Sequence, residues 1–123
     1  MARHLLSVDD DPAILSLIGK VAGDLGFEVD VVTHASFFMA AYVRKKPDVI
    51  TLDILMPNMD GIELIRWLGD VGCEARVVLL SGATHQYAKM AHRLGEDGSR
   101  LNVSRLSKPF PIAALRAALT GDI

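Results

Sequence analysis

One run constrains this chain more than any other: Val49-Ile50-Thr51-Leu52-Asp53, then Ile54-Leu55, then Met56-Pro57-Asn58-Met59-Asp60-Gly61. Val49, Ile50 and Leu52 read as a strand buried on both faces, because a parallel strand covered by helices is nearly all apolar rather than alternating. Proline fixes φ, and Asn, Asp and Gly tolerate left-handed backbone, so 56–61 is turn chemistry. The pattern places one carboxylate, Asp53, where a buried strand opens into a loop.

The rest of the chain repeats a strand-then-helix rhythm. His4–Val8 is a short apolar run followed by Asp9, Asp10 and Asp11, and Asp11-Pro12 predicts a helix N-cap with proline at the first helical position. Ile14, Ile18, Val21, Ala22 and Leu25 recur at helical spacing until Gly26. Phe27–Thr33 alternates apolar with acidic residues, which predicts an edge strand with one wet face. A helix over Ser36–Lys45 should bury Phe37, Phe38, Ala41 and Tyr42 before Pro47 closes it, and Asp48–Asp53 is the third strand.

Gly61–Leu68 predicts a helix with Ile62, Ile65 and Leu68 on one face, and with Trp67 as a packing residue rather than a binding platform. Ala75–Ser81 is a fourth strand, ending in a hydroxyl, and Thr84–Glu96 a helix with Ala88, Ala91 and Leu94 as its apolar row. Leu101–Ser107 alternates as a fifth strand, stopped by Lys108-Pro109, and Pro111–Leu119 is a last helix burying Ile112, Leu115 and Leu119. Strands alternating with helices predict an α/β fold, a parallel five-stranded sheet wound on both faces. In such sheets the site lies beyond the carboxyl ends of the strands. Asp9, Asp10 and Asp11, then Asp53, Ser81 and Lys108, all fall there.

Carboxylates converging on one crevice repel: at about 4 Å and an effective dielectric near 20, each like-charged pair costs on the order of 4 kcal/mol. A cation must therefore sit among them. Oxygen-only ligands select a hard divalent ion, and magnesium, which takes one or two carboxylates, keeps waters and accepts phosphate oxygens, suits them better than zinc. A carboxylate beside magnesium, with a lysine on the opposite side and a serine hydroxyl, is a set of parts for phosphoryl transfer, with Asp53 as nucleophile. Singly, each residue has a bland account: a capping turn, a strand end, a surface lysine. All of them at one sheet edge favour the chemical reading.

These residues carry a resemblance. VDDDP at the first strand end, LDILMPNMDG around Asp53, LLSG at the fourth strand and SKPF at the fifth resemble the receiver domain of two-component response regulators, the CheY-like superfamily, over essentially the whole chain. The resemblance implies a single receiver domain over 1–123, with a flavodoxin-like (βα)5 doubly wound sheet in the order 2-1-3-4-5. It further implies that Asp53 is phosphorylated by a sensor histidine kinase or phosphotransfer protein and that Asp10 and Asp53 ligate Mg2+, for which Mn2+ could substitute. Asp9 would act through water, and the main-chain carbonyl of Leu55 would be a further ligand. Ser81 would be the switch hydroxyl on the phosphoryl group, Lys108 would pair with that group, and Lys108-Pro109 would be a candidate cis bond. An output domain or partner protein would read the switch.

Two departures from the family pattern stand out. Arg105 occupies the switch position three residues before the lysine, where such receivers usually carry Tyr or Phe, so activation should remodel that surface by another route. The spacing from Gly95 to Lys108 resembles receivers with an extended fourth helix, some of which precede cyclic-dinucleotide phosphodiesterase domains, and hints at a longer parent protein. Leu55 and Ala83, two residues beyond Asp53 and Ser81, cannot orient a water, which predicts slow self-dephosphorylation.

Competing classes fit less well. A haloacid-dehalogenase-type phosphohydrolase needs a second Asp where Leu55 stands, so turnover of an external substrate is not expected. A flavin module needs a glycine- and hydroxyl-rich phosphate loop where Asp9–Asp11 lie. A phosphorylation-independent docking or dimerisation receiver is the remaining alternative. The formal net charge of -2 gives no reason to expect nucleic acid or an anionic membrane as partner. Cys73 is the single cysteine, which excludes an internal disulfide, and its expected role is that of a small packing residue. His4, His34, His85 and His92 show no ligand spacing and are expected at the surface. Met1 leads straight into the first apolar run, and no run approaches membrane-spanning length, so the expected location is the cytoplasm.

Overall fold

A computed structural model of the chain describes residues 3–56, 59–82 and 101–121. The elements run β1 (Arg3–Val8), α1 (Pro12–Asp24), β2 (Phe27–Val32), α2 (Ala35–Lys45), β3 (Val49–Asp53), β4 (Leu55–Met56), β5 (Met59–Asp60), α3 (Gly61–Asp70), β6 (Arg76–Ser81), β7 (Asn102–Ser107) and α4 (Ile112–Thr120). β2, β1, β3, β6 and β7 form one sheet in that spatial order, every neighbouring pair parallel. Counted along the chain these are strands 2-1-3-4-5, the expected order. The helix predicted over Thr84–Glu96 lies outside the described residues.

Alternation along the central strands sorts side chains into two core layers. Leu6, Val8, Ile50, Leu52, Val77 and Leu79 pack with Phe38 and Ala41 of α2 and with Leu64, Ile65 and Leu68 of α3. Leu5, Val49, Val78 and Leu80 pack on the other face with Ile18 and Val21 of α1 and Leu115 and Leu119 of α4. Every residue of β3 is buried, as its apolar run predicts. β2 is an edge strand as expected, but its exposed residues, Glu28 and Val31, lie on opposite faces instead of forming the one wet face its alternation predicted.

Local chemistry sets the helix ends. The Asp11 carboxylate accepts the Ala13 N–H at 2.9 Å and caps α1, with Pro12 at its start. Gly26, at φ 90°, turns the chain after α1, and Lys46 takes the left-handed conformation that ends α2.

Several expectations need correction. Phe37 is 59% exposed, with its ring edge on His34, because α2 turns only one stripe inward and Phe38 and Ala41 occupy it. Ile112 is half exposed at the first residue of α4, where the inward stripe falls on Leu115, Ala118 and Leu119. Leu64, not anticipated, is buried in α3. His4 is not a plain surface residue: it is half-buried in β1 with Nδ1 3.3 Å from Glu28. After Asp53, Leu55–Met56 pairs antiparallel with Met59–Asp60 as β4 and β5, an addition to the turn chemistry expected over 56–61.

Trp67 packs edge-on against Phe38 and Tyr42, and Cys73 is a buried small residue beneath them, both as expected. Burial, then the hydrogen bond with Cys73, pushes the Tyr42 phenol up to about 12. A phenol that ionises later in the folded state than in the unfolded one loses stability as pH rises from about 10. We expect alkaline melting curves to show stability falling above pH 10, with a smaller slope in Tyr42→Phe.

Candidate functional site

The chain turns sharply at the end of β1. Asp9 N–H reaches Val32 O at 3.4 Å, and Asp9 Oδ1 accepts the Asp11 N–H at 2.9 Å, so the acidic turn is folded around the first carboxylate. β3 delivers Asp53 to the same edge, paired in register with Leu80 of β6. Asp9 is 0% exposed and Asp53 5%, while Asp10 is exposed to solvent. One carboxylate oxygen from each of Asp9, Asp10 and Asp53 lies within 4.8 Å of the others.

Lys108 enters from β7. Its main-chain N–H donates to Ser81 O at 2.6 Å, extending the β6–β7 ladder by one residue. Its Nζ lies 2.9 Å from Asp9 Oδ2 and 3.4 Å from Asp53 Oδ2. This corrects the expectation that the lysine faces the carboxylates from the opposite side: the ammonium sits between them. Burial alone would lower its pKa, but the hydrogen bond to Asp9 and the charge of Asp53 outweigh that, and the net shift is upward. A raised folded-state pKa makes the pair's contribution complete below the unfolded value near 10.5 and lost as pH climbs through the folded one.

Among the described residues, three carboxylates against one ammonium leave two formal negative charges in a crevice with two of its acids buried. The donors are all oxygen, two sheltered and one open to water, which fits a hard divalent ion that keeps part of its hydration shell. Among the described residues this is the one group of three or more potential metal-binding side chains so arranged.

The remaining candidates fall around this edge. Ser81 is the last residue of β6 and buried, in register with Ser107. Leu55 begins β4, two residues beyond Asp53. Arg105 is exposed on edge strand β7, in register with Leu79, and is not part of the acidic cluster. The Lys108–Pro109 bond is cis, as the resemblance implied. Ala83 lies outside the described residues.

Residues 5–120 match the family described as response regulator receiver domain. This chain belongs to that family. The receiver is 30% identical over 122 residues to the response regulator protein TodT of Pseudomonas putida, a match covering 96% of this chain and 52% of TodT. It is 36% identical over 119 residues to the transcriptional regulatory protein TrcR of Mycobacterium tuberculosis, covering 96% of this chain and 44% of that protein. The receiver thus spans about half the length of these relatives. A signal receiver domain from Bermanella marisrubri superposes with a TM-score of 0.87 at 25% identity, with 98% of each chain covered. Receivers of this family are signalling switches rather than classical enzymes.

Sequence reasoning missed one polar feature of the receiver. Ser7 and Thr51, both buried, sit opposite one another on β1 and β3, and Thr51 Oγ1 donates to Ser7 Oγ at 2.6 Å. The available signal was their spacing: each stands two residues before a candidate carboxylate, Asp9 or Asp53, and so on the same sheet face. Among the described residues no helix is long and apolar enough to cross a membrane.

Proposed function

We propose that this chain is a single receiver domain, residues 1–123, whose Asp53 takes a phosphoryl group from a phosphohistidine on a sensor kinase or phosphotransfer protein. The observation that supports it most is the convergence of Asp9, Asp10 and Asp53 within 4.8 Å, with the Lys108 ammonium 2.9 and 3.4 Å from two of them. A carboxylate oxygen of Asp53 attacks phosphorus, an O–P bond forms, and the P–N bond breaks with its electron pair returning to the imidazole.

Asp10 and Asp53, the main-chain carbonyl of Leu55 and, through water, Asp9 would hold Mg2+ or Mn2+. When bound, the ion neutralises the incoming phosphoryl oxygens. Lys108 exchanges its partner on Asp53 for a phosphoryl oxygen while keeping Asp9, and the Ser81 hydroxyl donates to another. Asp9, already held by the Asp11 N–H and Lys108, stays fixed during the transfer. The phosphorylated state then acts on a partner or a fused output domain, in keeping with the receiver's share of its longer relatives. Arg105, exposed on the edge strand, puts a charge on the surface where activation would be read.

Incubation with phosphoramidate, with and without Mg2+, followed by intact-mass measurement tests this reading. A Mg2+-dependent gain of one phosphoryl group is expected, and its absence under every condition would replace the reading with that of a phosphorylation-independent docking module. Leu55 cannot act as a base, so the phosphorylated form should persist for roughly minutes or longer. A half-life of a few seconds would show that something else orients the attacking water.

A further inference from the structure

On the sheet face that carries the acids, the Ser7–Thr51 rung is unlike its neighbours. Leu5 and Val49 below it and Val78 beside it are apolar and belong to the core layer under α1 and α4. Two hydroxyls placed there are 0% exposed, and their short bond uses one of the two hydroxyl protons. Replacing both members of such a pair by apolar groups of the same shape can be nearly neutral or stabilising, whereas replacing one leaves a buried hydroxyl unpaired and is destabilising. Fold stability therefore does not require a polar pair here.

The position of the pair supplies a reason for it. β1 and β3 are paired from Leu5↔Val49 to Val8↔Leu52, and that pairing ends one residue short of Asp9 and Asp53. Beyond it, main-chain bonds run to the outer neighbours: Asp9 N–H donates to Val32 O of β2, while Asp53 pairs with Leu80 and Ile54 N–H donates to Leu80 O of β6. The two buried carboxylates are thus held by strands on opposite sides. The Ser7–Thr51 hydrogen bond joins β1 directly to β3 on the acid-bearing face, two residues before Asp9 and Asp53.

We propose that Ser7 and Thr51 are positioning residues that set the separation of the Asp9 and Asp53 carboxylates, and through it the divalent-ion affinity of the site. The inference rests on the function proposed above. Neither hydroxyl touches the ion or the phosphoryl group; the pair fixes the side-chain rotamers and the strand spacing directly beneath the acids. Support shells around metal ligands typically change affinity by about 10–100-fold when removed. A tie one layer further down should act more weakly, by about three- to tenfold.

The test is Mg2+ titration by calorimetry, together with thermal unfolding, of wild type, Ser7→Ala, Thr51→Val, Thr51→Ser and, as a control from the same rung, Val78→Ala. The expected result is Mg2+ binding weakened about three- to tenfold in Ser7→Ala and Thr51→Val, each with a lowered unfolding midpoint because the partner hydroxyl is left buried and unpaired. Thr51→Ser, which keeps the hydroxyl, should bind within about twofold of wild type. Val78→Ala should lose stability yet keep its affinity for the ion. The inference is overturned if Ser7→Ala and Thr51→Val bind Mg2+ as wild type does, if Val78→Ala loses as much affinity as they do for a comparable loss of stability, or if wild type binds none. Phosphorylation separates the two proposals. A wild type that takes a phosphoryl group while these variants bind Mg2+ normally sinks the positioning role alone, and a wild type that takes none sinks the function while the titration still decides the pair.

Discussion

Lys108→Ala should lower stability by about 3 kcal/mol, near the lower end for breaking a buried ion pair from one side, and should cut the rate of phosphorylation at least about tenfold. Asp9 is fully buried and Asp53 nearly so, and the Lys108 side chain, only 21% exposed, is the cation between them. Without it the two buried carboxylates lose the ammonium they share. Millimolar Mg2+ should restore much of the lost stability, because an ion that binds only the folded state stabilises it by mass action. The rate should stay low, because the ammonium also serves the phosphoryl oxygens. Thermal unfolding with and without Mg2+, alongside phosphoramidate kinetics, checks both parts. A variant as stable as wild type in the absence of Mg2+ would mean that the pair contributes no net stability.

Gly61→Ala is expected to destabilise the protein by about 1–3 kcal/mol, although helix propensity alone would favour it by about 1 kcal/mol. Gly61 is the first residue of α3, and a Cβ there would lie 2.7 Å from Ile54 Cα and 2.9 Å from Ile54 O. Those are backbone atoms and cannot swing aside. Either α3 or the segment just after Asp53 must move, so phosphorylation should slow together with the loss of stability. Denaturant unfolding decides the sign. A stabilised Gly61→Ala would show that the close approach of α3 to Ile54 is not a constraint.

The strands were legible where their residues had one dominant reason to be there. β3 is buried on both faces and reads as an apolar run, and β2 is an edge and reads as an alternation. The helices were legible as stripes but less so at their margins. Phe37 and Ile112 are apolar yet exposed, because a helix buries only the positions its rotation turns inward, and one large residue beside the stripe leaves no signal of its own. β4 and β5 are two residues each, too short for any periodicity.

For the site, the sheet edge collected Asp9, Asp10, Asp53 and Lys108 as sequence order and strand-end logic required. Whether the lysine ammonium lay across the crevice or within it depends on the path of a long flexible side chain, which spacing does not encode. The Ser7–Thr51 bond was hidden for a related reason: a serine and a threonine inside strands are individually unremarkable, and only the β1–β3 register makes them partners.

The most direct test of the central claim is to locate the phosphoryl group. After reaction with phosphoramidate and Mg2+, borohydride reduction converts an acyl phosphate to an alcohol, and peptide mass mapping then identifies the modified position. The account predicts homoserine at position 53 alone, and none when Mg2+ is omitted. Reduction at Asp9 or Asp10, or at Asp53 with the same yield without Mg2+, would contradict it.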